Sequence, residues 1–208
     1  MKRILTICLA LFSTILLSQN TYIQCGKLID TKKGKVHVNK TIIVSKDRII
    51  DVKNGFVTST DSDDTTIDLT TATVMPGFID MHVHIESEYN PQKYLNAFTL
   101  NDADLAFNSL EYAKITLMSG FTTVRDLGGS GVNISLRNAI EKGKVIGPRI
   151  FTAGKAIGTT GGHADPTNGR KKSMQGDPGP KEGVINSVDD AKKAVRQRYK
   201  DGADNIKI

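Results

Sequence analysis

The 208-residue chain carries 28 lysines and arginines against 22 aspartates and glutamates, a net charge of +6, with 38% apolar residues, 6% aromatics and no tryptophan. Its cations are scattered, with pairs at Lys32-Lys33, Lys171-Lys172 and Lys192-Lys193. They form no basic stripe with interleaved aromatics, so nucleic acid is excluded as a partner and the excess reads as a solvated surface. The composition excludes a disordered chain, and the length suits one large domain, or a small domain plus part of a larger one.

Lys2 and Arg3 precede an apolar run from Ile4 to Leu17, broken by Thr6, Ser13 and Thr14, and Ser18 offers a small residue for cleavage. This is the layout of a secretory signal peptide over residues 1–18, too short to span a bilayer comfortably. The expectation is a secreted or periplasmic protein with no stable membrane anchor after cleavage. Cys25 follows Tyr22-Ile23-Gln24 in place of small residues, which argues against a lipoprotein anchor. Cys8 leaves with the signal, so an internal disulfide is excluded and Cys25 reads as a small buried strand residue. Asn39-Lys40-Thr41 and Asn133-Ile134-Ser135 match the glycosylation sequon, to which no role is assigned.

Residues 19–73 read as the N-terminal part of a small β-sandwich. Short strands are expected at Tyr22–Ile29, Lys35–Val38, Lys40–Val44, Ile49–Val52 and Thr66–Leu69, separated by polar turns. His37 is expected as an exposed strand residue.

From Val74 the texture changes to strands alternating with helices. Val74-Met75-Pro76-Gly77-Phe78-Ile79-Asp80-Met81-His82-Val83-His84 runs through a Pro-Gly corner into a strand whose apolar residues predict burial. A helix capped at Asn101 or Asp102 carries Ala106, Leu110, Ala113 and Leu117 inward and ends at Gly120. Phe121–Asp126 is the next strand; a helix with Ile134, Leu136 and Ile140 inward stops at Gly143, and Arg149–Ala153 is the third strand. A glycine-rich loop from Gly154 to about Gly183 follows. Ser187 caps a helix with Asp189 and Asp190 in its first turn and an apolar stripe of Val188, Ala191, Val195 and Tyr199 or Ala194. Ala203–Ile208 predicts a fourth strand. Such repeats build parallel sheets, doubly wound or closed as a (β/α)8 barrel, of which four strands are half.

Alternate strand residues share a face, so His82 and His84 stand about 7 Å apart at their Cα atoms, within reach of one metal ion. Two polar residues on an exposed edge would give the same spacing. Lys207, near a strand end, is by spacing most simply a surface charge; as a free ammonium it binds no metal, whereas a CO2-derived carbamate is a carboxylate that can bridge two cations. His163 could line a substrate pocket, bind a carboxylate or be exposed. Arg125 and Asp126 lie where barrel enzymes place catalytic groups, or form an ion pair or helix cap.

Pro76-Gly77-Phe78-Ile79-Asp80-Met81-His82-Val83-His84 closely resembles the first-strand signature of the amidohydrolase superfamily of metal-dependent hydrolases. Gly120–Asp126, Gly147-Pro148-Arg149, Thr160-Gly161-Gly162-His163 and Gly202–Lys207 extend the resemblance across the mature chain. The chain is most similar to secreted imidazolonepropionase-like and Xaa-Pro dipeptidase-like members.

The resemblance implies an α/β fold: the N-terminal part of a (β/α)8 barrel over 74–208, preceded by a composite β-sandwich. It implies one or two divalent ions, zinc foremost, with His82 and His84 as ligands, carboxylated Lys207 as bridge and His163 facing substrate. The substrate would be a small molecule or dipeptide, hydrolysed at a carbon–nitrogen bond; an oligomer is compatible. The superfamily's essential aspartate and two further histidines belong to later strands, so that aspartate is expected beyond Ile208 and no catalytic residue is assigned within the chain. The 208 residues are expected to be an N-terminal portion. Two rivals stand beside this reading: a non-catalytic remnant with a partial metal site, and a deaminase of the same superfamily, against which Lys207 argues.

Overall fold

The computed structural model describes residues 19–208, and the signal segment expected over 1–18 lies outside the described residues. The chain divides between Pro76 and Gly77 into two units.

In the first unit β1 (Asn20–Asp30), β2 (Lys35–Ser45), β3 (Arg48–Asn54) and β4 (Thr65–Val74) form one sheet in the order β3-β2-β1-β4. The β1–β2 and β2–β3 pairs are antiparallel and β1–β4 is parallel. Cys25, Thr41, Ile42 and Ile43 are buried on it, and the Thr41 hydroxyl donates to the Gly55 carbonyl at 2.8 Å while accepting the Val57 N–H at 2.9 Å. Two strands expected in the middle of this region are one. Asn39 takes φ 50°, a left-handed conformation that asparagine tolerates, and the ladder continues on both sides of it. His37 is half-buried, not exposed, with Nε2 3.4 Å from Asp30 Oδ2.

The second unit contains β5 (Phe78–Val83), α1 (Lys93–Thr99), α2 (Asp102–Met118), β6 (Phe121–Asp126), α3 (Val132–Glu141), β7 (Arg149–Thr152) and α4 (Val188–Asp201). β5, β6 and β7 form a parallel sheet in that order, with helices between successive strands. The sequence explains the starts and stops. The Asp104 carboxylate accepts the Asn101 N–H at 2.9 Å ahead of α2, and the Ser187 hydroxyl accepts the Asp190 N–H at 3.1 Å at the start of α4. The core packs Ile85, Ala113, Val124, Leu136 and Ile150 together, with Val83, Leu110, Phe121, Ile140 and Val145 around them. Val83 and Ile85 thus enter the core, and period-two alternation sends His82 and His84 to the other face.

Three expectations differ. β5 is not buried: Phe78, Ile79 and Met81 are exposed, because among the described residues β5 has a neighbour on one side only. Ala203–Ile208 is not a regular strand. It runs beside the end of β7 through the Asp204 N–H on Thr152 O at 2.8 Å and the Ile157 N–H on Lys207 O at 2.8 Å, too few bonds to make a ladder. On α4 the inward residues are Ala194 and Arg198, while Val188, Val195 and Tyr199 are exposed. Arg198 wins the inward place because Nη2 donates to the Pro180 and Lys181 carbonyls at 3.3 and 2.6 Å. Its burial lowers the guanidinium pKa.

Candidate metal centre

His82 is the penultimate residue of β5 and His84 lies just past its end, at the C-terminal edge of the parallel sheet. Their rings meet edge-on with centroids 5.5 Å apart, and both side chains are accessible. His84 Nδ1 lies 3.0 Å from the Gly128 carbonyl oxygen. A carbonyl only accepts, so Nδ1 carries a proton, and in the neutral ring the lone pair is then on Nε2. That tautomer suits a metal ligand whose other nitrogen is tied to a carbonyl.

The turn that supplies this carbonyl is itself anchored. Asp126, fully buried at the end of β6, accepts the Gly128 N–H on Oδ1 at 3.3 Å, and on Oδ2 the Ile85 N–H at 3.4 Å and Asn133 Nδ2 at 3.2 Å. Burial pushes its carboxyl up to about 6; the Asn133 bond works against the rise, and the neighbouring Glu86 charge adds to it. Glu86, also buried, accepts the Ser130 N–H at 2.6 Å and the Asn133 N–H at 2.7 Å, capping the positive end of α3. Gly128, at φ 145°, passes close to the His84 ring: a Cβ there would stand 3.4 Å from His84 Cε1 and 3.8 Å from Ala156 Cβ. Arg125 turns aside, its Nε donating to the Met81 carbonyl at 2.8 Å.

Lys207 is half-buried and fixed through its own carbonyl, which accepts the Ile157 N–H at 2.8 Å beyond the end of β7. Asp204 ahead of it accepts the Thr152 N–H at 2.8 Å and pairs with Arg137 Nη1 at 2.6 Å. His163 is exposed in the glycine-rich loop. Asp165 shapes that loop by accepting the Gly161 N–H at 2.8 Å and the Thr167 hydroxyl at 2.6 Å, and the Thr167 bond above all lowers its pKa. A cavity of about 690 Å3 opens nearby, lined by Gly129, Ser130, Lys155, Ala156, Ala164 and Arg170 among others.

The donor set meets part of a divalent ion's demand. Two imidazoles, one with its Nδ1 tied to a carbonyl, suit zinc and its neighbours, which take at least four donors. Among the described residues no cluster of three or more His, Cys, Asp or Glu side chains surrounds one point. The sequence reading missed Glu86, Gly128 and Asn133. Glu86, an acid directly after a core isoleucine, was the available signal. Asn133, matched above as a sequon, is fully buried, which removes it as a glycosylation acceptor.

Residues 73–208 match the model of the amidohydrolase family, and the chain belongs to that family. The fold is accordingly the N-terminal part of its (β/α)8 barrel, with a small sandwich-like domain before it. A Xaa-Pro dipeptidase with methionine bound in its active site superposes with a TM-score of 0.84 at 49% identity, over 90% of this chain and 46% of that one. A prolidase complexed with N-methylphosphonate-L-proline gives 0.73 at 34% identity, over 91% and 46%. The ochratoxinase of Aspergillus niger is 28% identical over 150 residues, 65% of this chain and 30% of that protein. The chain thus spans less than half the length of these relatives.

Proposed function

We propose that this chain supplies the first half of the active site of a metal-dependent hydrolase acting on a carbon–nitrogen bond, with an Xaa-Pro dipeptide as the favoured substrate. The observation that carries this reading is the His82–His84 pair at the C-terminal edge of the sheet, with Nδ1 of His84 tied to Gly128. Similarity to a Xaa-Pro dipeptidase and to a prolidase supports the dipeptide over other amides.

In this reading His82, His84 and a carboxylated Lys207 hold one or two divalent ions, zinc foremost. Such an ion lowers the pKa of a water and polarises a scissile carbonyl. The chain's own residues arrange this half of the site. β5 aims the two imidazoles, the Gly128 carbonyl keeps a proton on His84 Nδ1, and His163 on its Asp165-shaped loop meets substrate. The essential aspartate belongs to later strands. Export through a cleaved segment over 1–18 belongs to the same reading, and a mature N-terminus near Gln19 is its check.

Metal analysis tests the assignment. The chain joined to its later strands should hold about two divalent ions, and His82→Ala or Lys207→Ala should lower that content. Full occupancy in both variants overturns the ligand set. An Xaa-Pro dipeptide should be turned over by that protein and not by the 208 residues alone; turnover by the 208 residues would show that the later strands are dispensable.

A further inference from the structure

We propose that Asp126 is a positioning residue for His84: through Gly128 it selects the Nδ1–H tautomer and leaves Nε2 as the free nitrogen.

His84 is placed by two constraints, and both end on this one carboxylate. The backbone leaves β5 through Ile85, whose N–H is held by Asp126 Oδ2 at 3.4 Å. The ring is held by the Gly128 carbonyl at 3.0 Å, and the N–H of the same glycine is held by Asp126 Oδ1 at 3.3 Å. Asp126 therefore clamps the strand exit and the turn that orients the ring to each other. It touches neither ring nitrogen, so it acts only through Gly128 and Ile85. Full burial of Asp126 keeps water from replacing these bonds. Ala156 stands on the other side of Gly128, so the turn has little room to shift. A buried carboxylate held by three donors is costly to keep. Three buried donors call for an acceptor here, and two of them are the strand exit after His84 and the turn that bears its ring.

The metal-affinity part of this proposal rests on the function proposed above, whereas the tautomer does not. The experiment uses the full chain, 15N-labelled at histidine, without metal. In the wild type the His84 spectrum should be that of a single Nδ1–H tautomer. Asp126→Asn keeps the shape but sets a donor against at least one of the three donors, so the second tautomer should become populated. Asn133→Ala removes a neighbour of Asp126 without touching Gly128; it should lower stability yet leave the tautomer unchanged. Zinc titration should then show affinity about 10- to 100-fold weaker in Asp126→Asn than in Asn133→Ala.

If Asp126→Asn does not fold, Gly128→Ala interrupts the same relay at its middle member and should give the same mixed tautomer. An unchanged tautomer in the folded variant, or an equal change in Asn133→Ala, overturns the proposal. A wild type with the single tautomer but no zinc affinity would sink the metal reading and leave the positioning role standing.

Discussion

Glu86 and Asn133 meet across 47 residues of chain, the carboxylate oxygen of the first accepting the backbone N–H of the second at 2.7 Å. The contact joins the segment just after His84 to the first turn of α3. Its second oxygen holds Ser130 N–H, so one acid satisfies two otherwise unpaired donors at a helix start.

Glu86→Ala should therefore cost roughly 2–4 kcal/mol, the penalty of leaving one buried and one partly buried donor without a charged acceptor. Glu86→Gln, which keeps an oxygen, should cost about half as much. Gly129→Ala attacks the same contact from the other side. Its Cβ would fall 2.7 Å from Glu86 Oε1 and 2.6 Å from Asn133 Nδ2, an overlap worth about 1–3 kcal/mol. Urea unfolding of the three variants checks both figures. A loss below 0.5 kcal/mol in Glu86→Ala, roughly the scatter of surface substitutions, would show that water replaces the carboxylate.

Asp126 makes stability depend on pH in the direction opposite to most carboxylates. Its folded pKa, about 6, lies above the ordinary 3.8, so between those values the folded state binds the extra proton. Stability from this group is greatest at the acid end of that window. It falls as pH rises through about 6, by up to about 3 kcal/mol. Asp30, Asp64, Asp68 and Asp165 have lowered values and act oppositely, so the readout is a difference. The stability of Asp126→Asn relative to wild type should rise from pH 4 to pH 7. A flat difference would refute the raised value.

Arg137 and Asp204 pair at 2.6 Å, with side chains 11% and 31% exposed. Asp204 also holds the Thr152 N–H, and Arg137 Nη1 donates to the Gly202 carbonyl at 2.9 Å. A double-mutant cycle of Arg137→Met and Asp204→Asn should give a coupling of about 1 kcal/mol, at the upper end for exposed pairs. Amide exchange at Asp204, whose N–H bonds Thr152, should quicken in either single variant. Unchanged exchange would mean that the backbone bonds alone hold the segment.

How much of this was legible in the sequence depends on how local each determinant is. The alternation around His82 and His84, the cap at Ser187 and the stop at Gly120 are written within a few residues, and they appear as expected. The burial of β5 was not legible, because it depends on strands to either side and not on Ile79 or Met81. The face of α4 was misread for a related reason. Arg198 looks like a solvated charge until the Pro180 and Lys181 carbonyls arrive from a loop beside it. Glu86 is an ordinary acid in sequence, whereas Asp126 is marked by its place at a strand end; the partners of both appear only once α3 starts against them.

β1 meets β2 across a short turn, Asp30 opposite Lys35, but meets β4 only after an excursion through two other strands, with Asn20 N–H reaching Asp64 Oδ1 44 residues away. Closing the long loop costs more entropy than closing the turn, and no pairing energy is recovered until it is closed. The sheet should therefore assemble as a three-strand meander first. β4 joins last, and its rate of arrival limits how fast the β1 flank is shielded from other chains.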